Sequence, residues 1–123
     1  MLSEHFSREE FACHHCDQLP VNGISKALLE GLETLRLAVG LPIHVTNGYR
    51  CKEHNEAVGG VENSQHVQGC AADIWVDGCP AFELGRLCRD IFDGVGIYVA
   101  DDFVHVDMRS NGKEVGTYIW YAQ

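Results

Sequence analysis

The order of helical and strand-like segments is the feature that most constrains the fold of this chain. Helical periodicity dominates the first part, where Leu28, Leu32 and Leu35 recur at helical spacing. Short strand-like segments cluster in the last part. Helices that come first and strands that come late are typical of an α+β fold, so we predict a mainly antiparallel sheet with flanking helices.

Local signals give approximate boundaries for these elements. The stretch from Ser7 to Glu10 has the pattern of a capping box and predicts a short helix through about Ala12. Gly40 stands where the C-terminal glycine of the clearest helix belongs, and Pro80 fits the first turn of a second long helix. The predicted helices cover residues 24–39, 53–58 and 80–92, and the predicted strands cover 42–46, 71–76, 96–99, 103–108 and 117–121.

Composition excludes several classes of function. The chain has 123 residues, enough for one domain, and 46% of them are hydrophobic, as in ordinary globular proteins. Its net charge of −9 disfavours nucleic acids and anionic membranes as partners. No apolar run approaches the ~20 residues that a membrane span needs. The first residues lack the pattern of a signal peptide, so we expect synthesis in the cytoplasm.

Two segments carry the residues expected to do chemistry, 64–73 and 101–107. His66 lies in a loop just before a predicted strand, Asp73 lies within that strand, and His105 lies on another strand. Two imidazoles and one carboxylate are the ligand count of a catalytic zinc, which keeps one position open for water. The sequence therefore favours a hydrolytic Zn2+ site.

The pattern Ser-x-His-x-x-Gly-x-Ala-x-Asp, which runs from Ser64 to Asp73, resembles the signature of the M15 zinc peptidases. These are D-alanyl-D-alanine carboxypeptidases and related peptidoglycan endopeptidases, which share a fold with the hedgehog signalling domain. The resemblance to the small single-domain branch extends over residues 3–11, 48–51, 54–55, 58–60 and 103–107. It implies one zinc peptidase domain over residues 1–123.

The resemblance also implies roles for individual residues. His66, Asp73 and His105 would be the zinc ligands. Arg50 would stabilise the substrate carbonyl oxygen or carboxylate through a charge-assisted contact, and Ser64 would lie beside the site and form hydrogen bonds within it.

Two carboxylates compete for the role of general base. Asp102 stands three residues before His105, the spacing found in much of the family, and we take it as the candidate. Asp107 is on the same strand face as His105 and is the competitor, with the alternative role of orienting a ligand.

The resemblance implies hydrolysis of peptide bonds next to D-amino acids in peptidoglycan stem peptides or cross-links. Carboxypeptidase and endopeptidase activity remain open. We expect action at the cell wall, as a phage lysis or tail enzyme or an exported bacterial protein, without an obligate protein partner. The alternatives are a non-catalytic zinc-binding module on the same fold and a thiol-based redox protein.

The cysteines and the large aromatic residues are not assigned to the predicted zinc site. Cys13-x-x-Cys16 has metal-ligand spacing, and Cys51 is a candidate third ligand or disulfide partner. A structural zinc takes four ligands and no second such motif is present, so we favour free thiols or disulfide pairing over a second metal. We interpret Cys88 as a small core residue. The large aromatics are expected to belong to the core or to a sheet face rather than to a substrate platform: Trp75, Trp120 and Tyr121.

Overall fold

The computed structural model describes residues 1–61 and 64–122. The helices are α1 (Arg8–Phe11), α2 (Lys26–Val39), α3 (Lys52–Ala57) and α4 (Ala81–Cys88). The strands are β1 (His44–Asn47), β2 (Ala71–Trp75), β3 (Gly94–Tyr98), β4 (Phe103–Asp107) and β5 (Tyr118–Ala122). The predicted α+β class is confirmed.

The five strands form one sheet in the order β1-β2-β4-β3-β5. The pairs β1–β2, β2–β4 and β3–β4 are antiparallel, whereas β5 runs parallel to β3. The sheet is therefore mainly antiparallel, as predicted. Strand β4 is central, and its His105 lies between Asp73 on β2 and Gly96 on β3.

The helix ends follow from local hydrogen bonds. The capping box of α1 is present, and the backbone N–H of Ser7 donates to Glu10 at 2.7 Å. The hydroxyl of Ser25 accepts from the Leu28 N–H at 3.1 Å and begins α2. Gly40 ends that helix in the left-handed conformation, with φ 69°.

The second long helix is shorter than predicted, because α4 ends at Cys88 and not near Phe92. The chain then forms a turn that carries Phe92 into the core, and β3 begins two residues earlier than expected, at Gly94. Leu84 and Cys88 occupy the buried face of α4, whereas Leu87 is 38% exposed.

The two faces of the sheet differ, because one is packed and apolar and the other is polar. One face packs against α2 and α4 through alternate residues of the strands, among them Ile74, Val104 and Val106, and forms the hydrophobic core. The intervening residues Asp73 and His105 point to the other face. The fold thus separates a packed face from a polar face, on which the candidate site lies. No helix within the described residues is long and apolar enough to cross a membrane.

Candidate active site

The structure brings together three candidate metal ligands that are far apart in sequence. The Oδ1 atom of Asp73 lies 3.2 Å from His66 Nε2 and 3.2 Å from His105 Nδ1. One ligand atom from each residue lies within 4.8 Å of the other two. Ligand atoms arranged tetrahedrally at zinc distances are separated by about 3.3 Å, so this donor set fits zinc.

The backbone positions these three side chains. Asp73 and His105 are direct neighbours on the antiparallel strands β2 and β4, so their side chains emerge side by side. His66 lies in the turn that leads into β2, where Gly69 adopts φ +75°. The N–H of Arg50 donates to the His66 carbonyl at 3.3 Å and ties this turn to the segment after β1.

Hydrogen bonds also fix the protonated nitrogen of each imidazole. His66 Nδ1 lies 2.8 Å from the carbonyl oxygen of Gly48, which can only accept, so Nδ1 carries the proton and Nε2 presents a lone pair. His105 Nε2 lies 2.7 Å from Asp107 Oδ2 and donates to it. The second nitrogen of each ring faces Asp73 Oδ1, so a proton or a metal ion must lie between that nitrogen and the carboxylate.

The pKa shifts agree with this requirement. Burial alone would raise the pKa of Asp73, but hydrogen bonds from His105 and His66 hold it well below its ordinary range. Burial would lower the pKa of His105, yet the flanking carboxylates Asp107 and Asp73 raise it. The site thus attracts a cation, either a proton or a metal ion.

Asp107 is fully buried beneath His105, with 0% exposure. Its carboxylate accepts hydrogen bonds from Arg109 Nε at 2.9 Å and from an Arg109 terminal nitrogen at 2.8 Å. Burial raises the pKa of Asp107, but the bonds from Arg109 and His105 outweigh it and keep that pKa below its ordinary range. A Cβ on Gly94 would collide with this carboxylate, so the glycine makes room for it. The ionised Asp107 holds the ring of His105 in place.

Arg50 and Ser64 lie together beside the three candidate ligands. A terminal nitrogen of Arg50 donates to Ser64 Oγ at 3.1 Å, and the His66 N–H donates to the same oxygen at 3.2 Å. The Nε of Arg50 is buried and has no partner in the part of the chain that the structure describes. The guanidinium therefore keeps donor capacity for a further acceptor.

A cleft of about 550 Å³ opens over the ligands. One wall is aromatic and includes Tyr98, Phe103 and Trp120, and the indole of Trp120 lies 5.2 Å from the His105 ring. A Cβ on Gly96 would meet the Trp120 ring, so this glycine allows the indole to cover β3. Trp120 lies on a sheet face, as expected, but it also lines the cleft.

The other two aromatics, Trp75 on β2 and Tyr121 on β5, belong to the sheet as expected and are not among the described residues that line the cleft. Trp75 stacks on His44 with ring centroids 4.1 Å apart, and Tyr121 is 58% exposed on the edge strand.

Arg109 and Tyr98 are cleft residues that sequence reasoning missed. Arg109 could have been predicted from the sequence. It stands two residues after Asp107 and so continues the alternation that places His105 and Asp107 on one face. Tyr98 gave no comparable signal, because its position depends on the pairing of β3 with β4.

The structure does not bring Asp102 to the ligands. This residue, in the turn before β4, uses its Oδ1 to accept the N–H of Ala81 at 2.8 Å, at the start of α4. It lines a separate pocket with residues 75–80 and is not among the described residues around the larger cleft. Asp73 is the only carboxylate among those cleft residues.

Two imidazoles and a carboxylate that converge on one face of the sheet could hold a metal ion, and they match the ligand set of a catalytic zinc site. The family model described as Peptidase M15 matches residues 4–107. The chain therefore belongs to the Peptidase M15 family, which confirms the resemblance, and it is a peptidase of a family of zinc enzymes. A comparison with curated proteins found no match.

Proposed function

We propose that residues 1–123 act as one zinc-dependent peptidase domain that hydrolyses peptide bonds in peptidoglycan stem peptides or cross-links, next to D-amino acids. The observation that carries this proposal is the convergence of the free nitrogens of His66 and His105 on Asp73. Membership of the Peptidase M15 family supports it. The location of action would be the cell wall.

His66, Asp73 and His105 would hold the zinc ion. When bound, zinc supplies a Lewis acid and lowers the pKa of water so that a nucleophile is available near neutral pH. The chain fixes the geometry of the site beforehand, because Gly48 and Asp107 each accept the other N–H of a ligand imidazole.

Arg50 would bind the substrate. It forms no ion pair with the residues described in the structure, whereas the other cleft cation, Arg109, is neutralised by Asp107. Among the described residues of the cleft, the guanidinium of Arg50 is thus the positive charge without an acidic partner, and it is suited to a carbonyl oxygen or a terminal carboxylate. Ser64 holds it in place through the 3.1 Å hydrogen bond.

The cleft fits a short peptide. Its lining combines the aromatic rings of Tyr98, Phe103 and Trp120 with the polar groups of Arg50 and Ser64. An open groove of this kind accommodates a peptide chain whose backbone contacts polar groups on one side and whose small side chains contact aromatic rings on the other.

We assign neither of the two expected carboxylates to proton transfer on this geometry. Asp107 is assigned to orienting His105, and Asp102 to satisfying the first N–H of α4. Both assignments replace the expectation that one of them is the general base.

A non-catalytic zinc-binding module is the second candidate function. It is favoured by one observation, that Asp73 is the only carboxylate among the described residues of the cleft. Such a module would bind zinc at the same three residues and bind a peptide without cleaving it.

A synthetic stem peptide that ends in D-Ala-D-Ala, together with a cross-linked dimer of it, separates these candidates. The peptidase should release products from one of the two substrates, lose this activity in chelator and regain it with added zinc. The His66→Ala variant should be inactive with or without zinc. Zinc binding without cleavage of either substrate would favour the non-catalytic module.

A further inference from the structure

Three cysteines meet outside the site described above, and one of them, Cys51, directly follows Arg50 in the sequence. Cys13 is buried, Cys16 is exposed and Cys51 is half-buried, and all three are free thiols. Their sulfur atoms lie within 4.8 Å of one another. Cys13 and Cys16 belong to the loop after α1, whereas Cys51 directly precedes α3, so the cluster joins two segments that are distant in sequence.

An imidazole lies beside this group, next to Cys51. The Nδ1 atom of His15 lies 3.6 Å from Cys51 Sγ. In a tetrahedral zinc site with ordinary zinc–sulfur and zinc–nitrogen distances, sulfur and nitrogen ligands are about 3.6 Å apart and two sulfurs about 3.8 Å apart. The ring of His54 stacks on His15, with centroids 5.8 Å apart, but it is not one of the proposed ligands.

Backbone N–H groups point at two of the sulfur atoms. The N–H of Cys51 donates to Cys13 Sγ at 3.4 Å, and the N–H of His54 donates to Cys51 Sγ at 3.3 Å. Such bonds stabilise thiolates, which are the form of cysteine that binds metal. Three adjacent thiolates repel one another unless a cation lies between them.

We propose that Cys13, Cys16, Cys51 and His15 form a second metal site, a structural zinc centre with four protein ligands. This site is separate in composition from the one on His66, because it is rich in sulfur and closed by its own ligands. It reverses the preference drawn from the sequence, where a fourth ligand was missing. His15, inside the Cys13-x-x-Cys16 motif, supplies that ligand.

A metal here would stabilise the neighbourhood of Arg50. The loop after α1 already contacts the segment before α3, since the Tyr49 N–H donates to the Phe11 carbonyl at 2.8 Å. His14 Nε2 lies 2.8 Å from the Thr46 carbonyl oxygen. A metal bound by Cys13 and Cys51 would hold these two segments together next to the arginine.

Oxidation of two of these thiols to a disulfide is the alternative to metal binding. A bond between any two of them would leave the third unpaired, whereas a metal uses all three. Thiol counting on the unfolded chain after aerobic purification separates these outcomes: six reactive thiols support the metal site, and a disulfide between two members of the cluster overturns it.

Metal analysis of the full chain, purified under reducing conditions without chelator, tests the proposal directly. We expect about two equivalents of zinc per chain, and about one in Cys16→Ser and in His66→Ala. The control Cys79→Ser, outside the cluster, should keep the wild-type content. Zinc content that does not change in Cys16→Ser would overturn the second site, whereas unchanged content in His66→Ala would contradict the proposed function alone.

Replacement of zinc by cobalt(II) identifies the ligands. The thiolate-to-cobalt charge-transfer absorption should persist in His66→Ala and disappear in Cys16→Ser. His15→Ala should alter the ligand-field bands, and the matched variant His54→Ala should leave them unchanged. A spectrum that responds to His54→Ala and not to His15→Ala would overturn the assignment of the fourth ligand.

Discussion

Asp107 Oδ2 lies 2.7 Å from His105 Nε2, on the side of the imidazole opposite to Asp73. The same carboxylate is held by Arg109, so a chain of charges runs from the outer arginine to the candidate metal ligand. An imidazole that donates its second N–H to a carboxylate is fixed in tautomer and orientation, and it becomes a better ligand. This relationship leads to the first prediction.

Replacement of Asp107 by Asn should weaken zinc binding roughly 10- to 100-fold, because His105 loses its charged acceptor. The activity at limiting zinc should fall in parallel. Zinc affinity is measured by competition with a chromophoric chelator, with wild type and variant at the same pH.

The matched control is Asp102→Asn. An Asn side chain can still accept the Ala81 N–H, so stability should change by less than about 0.5 kcal/mol, and zinc affinity and activity should stay close to those of the wild type. Loss of activity in Asp102→Asn with zinc still bound would show that Asp102 is the general base after all.

Arg50→Lys should lower kcat/KM roughly 100-fold while the zinc content stays constant, since the lysine lacks the planar donors that bind a carbonyl oxygen or carboxylate. The control is Arg86→Lys on the exposed side of α4, which should leave the kinetics unchanged. An Arg50→Lys enzyme with wild-type kcat/KM would remove this arginine from the substrate site.

Gly94 and Gly96 on β3 make room for different groups and therefore allow a matched comparison. A Cβ at either position collides with a neighbour, Asp107 in the first case and Trp120 in the second. Both alanine variants should be destabilised by about 1–3 kcal/mol. Only Gly94→Ala should also weaken zinc binding, by roughly tenfold, because it displaces the carboxylate that orients His105. Equal zinc affinities in the two variants would contradict this account.

Glu33 anchors the N-terminal segment and gives a pH-dependent prediction. Burial alone would raise its pKa, but hydrogen bonds from Ser3 and His5 hold that pKa below 4.5. The ionised carboxylate therefore stabilises the fold above pH 4.5, and this contribution is lost as the pH falls through the lower pKa of the folded state.

Glu33→Gln should lower the free energy of unfolding by about 1 kcal/mol at neutral pH, and the difference from wild type should shrink in acid. The control is Glu30→Gln, whose side chain is 69% exposed and which should have little effect. A deficit that stays constant from neutral to acidic pH would show that charge plays no part.

Local signals in the sequence predicted those parts of the fold that depend on neighbouring residues. The capping box at Ser7 and Glu10 and the glycine at position 40 mark helix ends because the hydrogen bonds and backbone angles that end a helix are local. The end of α4 was missed, because the chain leaves the helix to bury Phe92, and that burial depends on the packing of distant elements.

In the candidate site, too, some residues could be predicted from the sequence, whereas others depend on the packing of distant elements. His66, Asp73 and His105 were predicted as ligands from their residue types in two segments and from the resemblance to the M15 peptidases, and the structure brings them together. Trp120 reaches the cleft only because β5 pairs in parallel with β3, a pairing for which the sequence offers no local signal. His15, the proposed fourth ligand, lies inside the Cys13-x-x-Cys16 motif, but only folding brings it to Cys51.

The most direct measurement is mass spectrometry of the fragments released from purified peptidoglycan, with chelator and after zinc is restored. The account predicts peptide fragments from one type of bond, no release in chelator, recovery with zinc, and no release by His66→Ala even with zinc present. Equal fragment release by His66→Ala and wild type, or full release in chelator, would contradict a zinc centre on His66, Asp73 and His105.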